Sequence, residues 1–332
     1  MTDLERRYAR WTALFYPADY RRERGSELVD TYLSLAEPGR RRPSPADIAD
    51  LAAGGLRRHL RTAPGVTAGF RLAGLLALTT AAAFASAWAV LEVMAPIKFW
   101  SRYTGPVMSL GMAAWAVWLL AAVVHLVAPG RWYRRAAVIA VLVTAAVVPA
   151  GMLTGLFRPP LIVLVPQLVL GIVALGADAG RRWWVRLAPL AAAASAVPVT
   201  LVTEARLDFY GGYYLPAVEA LPAAGVTLLI GATLLALGFA ARHDLRGAWA
   251  LLFLLTPIGM LALNPIGAML DDSGPGRPQV PVWSSMATAA VLVAVVGPVL
   301  LTLALAAQGR RSTGDRPLPA HCPTCGAPSN SA

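Results

Sequence analysis

The stretch Leu72–Ala95, LAGLLALTTAAAFASAWAVLEVMA, decides the fold. About 20 apolar residues cross the hydrocarbon of a bilayer as one helix. This run has that length, and its single charge, Glu92, comes near its far end. Working outward, the same composition recurs at 106–128, 136–157, 161–177, 187–203, 221–241, 248–270 and 284–307, each 17 to 24 residues long. The whole chain of 332 residues is 57% hydrophobic and 14% charged, against about 25% charged in soluble domains. The fold class expected is therefore all-α: a polytopic bundle of about eight transmembrane helices. The segments 161–177 and 187–203 are the shortest, and Phe157-Arg158-Pro159-Pro160 makes the third and fourth helices tight antiparallel neighbours.

Charge placement tests that count. With the N-terminus inside, 24 of the 29 basic residues face the cytosol, and only Lys98, Arg102, Arg158, Arg206 and Arg277 face out. Such an alternation follows the positive-inside rule and predicts a cell-membrane protein with both termini cytosolic. The same rule accounts for the net charge of +11 without invoking nucleic acid, so no direct nucleic-acid binding is expected. Trp100, Trp132, Trp183, Trp184, Trp249 and Trp283 all fall at span ends, where amphipathic rings sit at headgroup depth. No apolar run precedes Leu72 that would serve as a cleavable signal peptide.

Residues 1–65 differ in kind. Leu4, Tyr8, Trp11 and Phe15 recur at helical spacing, as do Leu28, Tyr32 and Leu35, and Ile48, Leu51, Ala52 and Leu56. Charges fill the other faces, so these are amphipathic helices rather than spans. Pro17 separates the first from the second, Glu37-Pro38-Gly39 ends the second, and Ser44-Pro45 is a cap with proline at the first helical position. A small cytosolic three-helix module is predicted. Residues 66–307 form the transmembrane domain, and 308–332 a polar, Pro-rich cytosolic tail read as disordered.

Few residues suggest chemistry. Glu92, His125 and Asp178 fall near span ends and read as boundary groups. Mid-span prolines are numerous: Pro149, Pro166, Pro198, Pro257, Pro265 and Pro298. Each removes a backbone donor. Gln167 beside Pro166 and Asn264 beside Pro265 form the candidate intramembrane polar site, the alternative being kinked packing helices joined by hydrogen bonds. The outer loop from Glu204 to Ala220 is a weaker ligand patch or an interfacial segment.

In the tail, His321-Cys322-Pro323-Thr324-Cys325-Gly326 resembles one knuckle of a zinc ribbon. His321, Cys322 and Cys325 are the candidate metal ligands, short of the four a closed zinc site needs. An unliganded tail is the other reading, and no other cofactor is indicated. Two cysteines close together in the tail build no disulfide framework. The chain lacks H-E-x-x-H, G-x-S-x-G, P-loop and G-x-G-x-x-G patterns.

The run Glu5-Arg6-Arg7-Tyr8, followed by Leu14-Phe15-Tyr16-Pro17-Ala18-Asp19-Tyr20-Arg21-Arg22-Glu23-Arg24-Gly25-Ser26-Glu27-Leu28, resembles a recurrent N-terminal module. Gly39-Arg40-Arg41-Arg42-Pro43-Ser44-Pro45 and Leu56-Arg57-Arg58-His59-Leu60-Arg61 fit the same pattern. It is similar to the start of uncharacterised actinobacterial multi-pass membrane proteins, and to helical signalling domains beside PadR-type regulators or in front of permeases. The resemblance covers residues 1 to about 65. It implies a cytosolic adaptor joined to a membrane effector, with a PadR-type regulator as the kind of partner and no catalytic residue. The resulting expectation is a non-enzymatic sensory or regulatory protein. The alternative is a transporter or permease component for a small or lipophilic substrate, and a lipid-modifying enzyme is a third, weaker reading.

Overall fold

The computed structural model describes residues 2–16, 18–36, 40, 42–62, 65–99, 109–178, 182–206, 217–271 and 283–314. Among them every regular element is helical, and a lone bridge joins Ser109 to Phe157. Contacts divide the chain into two compact units, Met1–Pro64 with Leu300–Ala332, and Gly65–Val299.

The first unit opens with α1 (Asp3–Phe15), α2 (Ala18–Leu35) and α3 (Pro45–Thr62). Thr2 caps α1: its Oγ1 accepts the Glu5 N–H while the Glu5 carboxylate accepts the Thr2 N–H. Ser44 and Asp47 repeat this reciprocal cap at α3, satisfying donors that a helix start leaves unpaired. Tyr8, Tyr16, Val29 and Leu51 form the core, with Trp11, Phe15, Leu28 and Tyr32 packed around it. Leu35, expected in the apolar stripe of α2, is instead exposed. It lies in the last turn of α2, three residues past the Tyr32 ring that stacks on Tyr8.

The second unit holds α4 (Val66–Phe99), α5 (Gly111–Val127), α6 (Arg131–Thr154), α7 (Leu161–Ala174), α8 (Trp183–Arg206), α9 (Ala217–Ala240), α10 (Arg246–Leu261), α11 (Leu263–Leu270) and the first part of α12 (Trp283–Gly314). Half of the apolar stretch of α4 is buried, against 11% for α8, α9 and α12. The helix that decided the fold is therefore the central one, packed against α5, α7, α8 and α10. Small residues make this possible: Ala73, Ala77, Ala81 and Ala85 are fully buried. At Gly74 a Cβ would lie 2.2 Å from the Ala177 nitrogen, so only glycine lets α4 meet the turn that ends α7. The outer helices present apolar side chains outward, among them Val226, Leu234, Val291 and Val295, as a lipid-facing surface requires.

Five helices are long and apolar enough to cross a bilayer, and α10 with α11 makes a sixth if the pair is one bent span. The chain is a helical membrane protein. The bend of 66° between α10 and α11 follows from Pro265, which has no N–H to offer Leu261. Of the eight crossings expected, those at α5 and α7 rest on helices of 17 and 14 residues. At ~1.5 Å per residue these reach only about 26 and 21 Å, against a hydrocarbon thickness of about 30 Å. Pro159 and Pro160 delay the start of α7, and the tight turn through Gly176 and Ala177 ends it.

Candidate functional site

Polar contacts sort the membrane unit into two ends. At one end Arg71 at the start of α4 pairs with Asp178 after α7 at 3.3 Å. There too the Tyr133 hydroxyl, at the start of α6, donates to the Ala174 carbonyl at 2.6 Å. At the other end Glu92 of α4 meets Ser109 and Trp115 at the start of α5. The Leu110 N–H there donates to the Phe157 carbonyl beyond α6. Arg71, Arg131, Arg134, Arg135, Arg182, Arg186, Arg242 and Arg246 all belong to helix ends of the first kind. The opposite end carries Lys98 by the end of α4, Arg158 and, closing α8, Arg206.

Glu92 is 2% exposed. Its Oε1 accepts the Ser109 hydroxyl at 2.7 Å and the Trp115 indole N–H at 3.1 Å. Ser109 is held in turn by the Gly111 N–H at 3.0 Å. A Cβ on Gly111 would lie 2.2 Å from Glu92 Oε1 and 2.6 Å from Pro159, so α5 begins on glycine where the carboxylate needs the space. Sequence reading set Glu92 at an open boundary. The structure encloses it at the end of the bundle, on hydrogen bonds from α5 and its approach segment.

His125 shows the same contrast. It is fully buried near the end of α5, with its ring edge-on to Tyr133 at 4.7 Å between centroids. Both of its ring nitrogens lack a hydrogen-bond partner. Asp178, the third boundary residue, does remain half exposed, in its pair with Arg71.

Gln167 is 1% exposed in α7, and its Nε2 donates to the Ala81 carbonyl of α4 at 3.2 Å. Its Oε1 has no partner. Asn264 sits half-buried at the start of α11, just past the bend. The two amides are not brought together. Val165 and Val169, on the opposite side of α7 from Gln167, pack with Leu263 and Ile266 beside Asn264. The candidate pair thus divides into an enclosed amide facing α4 and a bend-flanking amide elsewhere.

In the first unit two tyrosines bind two aspartates of α3. The Tyr8 hydroxyl donates to Asp47 at 2.7 Å and the Tyr32 hydroxyl to Asp50 at 2.5 Å. The two rings stack at 5.5 Å, and Arg40 approaches Asp47 at 3.6 Å. Burial and then the Asp47 carboxylate push the Tyr8 phenol up to about 12. Tyr32 is raised similarly, by burial and by Asp50. Asp47 is held below the usual carboxylate range, chiefly by the Tyr8 hydrogen bond.

His321, Cys322 and Cys325 lie outside the described residues, as does most of the loop between Glu204 and Ala220. Among the described residues no three His, Cys, Asp or Glu side chains gather as a metal site would require. The signal that sequence reading passed over is the period of α5. Trp115, Trp118, Ala122 and His125 are spaced three, four and three apart, which puts them on one helix face. Comparisons with protein-family models, curated proteins and solved structures found no match to the chain.

Proposed function

We propose that the chain is a regulatory protein of the bacterial cell membrane, with both termini cytosolic, that relays to a soluble protein through its N-terminal module. The observation that carries this reading is a hydrophobic core shared by α1, α2 and α3. Residues Met1–Pro64 have their own core and two tyrosine–aspartate bonds tying α1 and α2 to α3. Its outer faces remain charged, with Leu14 and Leu35 exposed between the charges. A PadR-type regulator is the class of partner the N-terminal resemblance suggests. Crossing of the bilayer by all eight apolar segments, α5 and α7 included, belongs to the same proposal, supported by the gathering of arginines at one end of the bundle.

Two measurements test it. In a chain with Cys322→Ser and Cys325→Ser, Ser26→Cys should react with an impermeant maleimide only in opened cells, and Ser273→Cys in intact ones. The reverse pattern overturns the topology. A photo-crosslinker at Leu14 or Leu35 of the full chain should capture one soluble protein in cells. No captured partner, together with an unchanged transcript profile on deleting residues 1–65, overturns the relay.

A second reading, a carrier for a small solute, is favoured by one specific observation: Gln167 is enclosed within the bundle with an unpartnered oxygen, beside Pro166. Uptake or efflux insensitive to Gln167→Ala and Asn264→Ala would remove it.

A further inference from the structure

Along α5, Trp115, Trp118, Ala122 and His125 are all fully buried on one face. Three of the four carry polar nitrogens, and each meets the bundle at a different depth. Trp115 donates to the enclosed Glu92. Trp118 donates to Thr144 of α6 at 3.0 Å, and a Cβ on Gly171 of α7 would lie 2.5 Å from its ring. One turn from Gly171 on the same face of α7 is Gln167, whose Oε1 lacks a partner. His125 closes the series with two unpartnered nitrogens.

The depths can be read off α4. Arg71 and Glu92 are about 31 Å apart along that helix at ~1.5 Å per residue, which matches the thickness of the hydrocarbon core. Ala81, which binds Gln167, lies midway. Two ionisable side chains are therefore enclosed toward opposite faces, with an amide oxygen available near the midplane. Ionisable groups inside a membrane bundle are expensive and mark ion or proton pathways. Each buried polar atom left unpaired adds about 1–3 kcal/mol. Packing volume alone needs neither His125 nor Gln167, since phenylalanine fills the space of the first and leucine that of the second.

We propose that the inner face of α5 is a proton-transfer seam running from His125 to Glu92, with one water held at Gln167 Oε1 and a file of further waters carrying the proton over the ~16 Å of α4 between Ala81 and Glu92. A proton added to one imidazole nitrogen is matched by release from the other, which leaves His125 neutral in its other tautomer, and a turn of the ring restores it for the next passage. Glu92 takes the proton on its carboxylate and returns it to the opposite face. The charged and titratable groups around His125 are Tyr133 of α6, Asp178 after α7, and Arg186 of α8. Arg71 of α4 is paired with Asp178. The seam deepens the carrier reading, because it supplies a coupling ion.

The experiment uses the full chain in liposomes of phosphatidylethanolamine and phosphatidylglycerol that enclose a pH-sensitive dye. A potassium gradient with valinomycin sets the potential. Proton entry about tenfold faster than in protein-free liposomes is expected, a barrier lower by about 1.4 kcal/mol. Glu92→Gln, which keeps the oxygen accepting from Ser109 and Trp115, and His125→Phe, which keeps a ring against Tyr133, should return entry to the protein-free rate. Thr227→Ala, on the exposed face of α9, should leave it unchanged. Unaltered elution and melting of each variant confirm folding, and where one misfolds Glu92→Asn or His125→Gln, which also lack the titratable group, replaces it. Wild-type entry no faster than in empty liposomes overturns the inference, as does fast entry in both folded variants. Proton entry without solute transport retains the seam and removes only the carrier reading.

Discussion

Tyr8 and Asp47 are joined across the N-terminal module by a hydrogen bond of 2.7 Å, and the Asp47 carboxylate also accepts the Ser44 N–H at the start of α3. One side chain therefore both caps a helix and ties that helix to α1. Hydrogen bonds to charged groups contribute about 1.5–3 kcal/mol. Tyr8→Phe should lower the stability of the module by about 2 kcal/mol. Asp47→Ala should cost more, because the cap is lost as well. Hydrogen exchange of residues 3–62 in the full chain measures both, and equal protection in wild type and Tyr8→Phe would contradict the prediction.

The same pair sets the pH limits of the module. The folded-state value of Asp47 is depressed, so its contribution is present above the ordinary carboxylate range and is lost as pH falls through the lowered value. Tyr8 is raised to about 12, so its contribution is complete below the ordinary phenol value and is lost as pH rises through about 12. Exchange protection of α1 and α3 should therefore decline below about pH 4 and above about pH 10. Tyr8→Phe should weaken both declines.

Three glycines should separate by what surrounds them. Gly74→Ala and Gly111→Ala drive a Cβ to 2.2 Å from Ala177 N and Glu92 Oε1 respectively, and overpacking of this kind typically costs about 1–3 kcal/mol. Gly231→Ala in α9 meets nothing within 4 Å and should be neutral or stabilising by up to about 1 kcal/mol. Melting in detergent ranks the three, and a destabilised Gly231→Ala would contradict the account.

Arg71 and Asp178 are each about half exposed at their ion pair. Exposed pairs contribute about 0–1 kcal/mol and weaken with salt. Asp178→Asn should shift the melting temperature little, and less still at high ionic strength. Glu92→Ala, which strips the acceptor from Ser109 and Trp115, should be far more damaging.

The bend between α10 and α11 was legible in part. Pro265 announces a lost donor, but 248–270 reads as one apolar run, because hydropathy averages over a break in direction. Leu35 belongs to a sound helical stripe and is nevertheless exposed, because periodicity tells which face of a helix is apolar and not how far along it a neighbour reaches. Gln167 and Asn264 look alike in sequence, each an amide beside a proline. They are set apart because Gln167 points to α4 while the other side of α7 faces α11.

The order of residues along the chain determined that this is a helical membrane protein, where its apolar segments lie, and which helix ends carry the arginines. Those are properties of a stretch of chain, set by the transfer of its own side chains from water to hydrocarbon. Tertiary structure decided the rest: that the stretch Leu72–Ala95 is the central helix, and that Glu92 and His125 are enclosed. The physical reason is that enclosure depends on which face of a helix meets a neighbour. Hydropathy sums over all faces, so a buried carboxylate and one at the lipid boundary read the same until the helices pack.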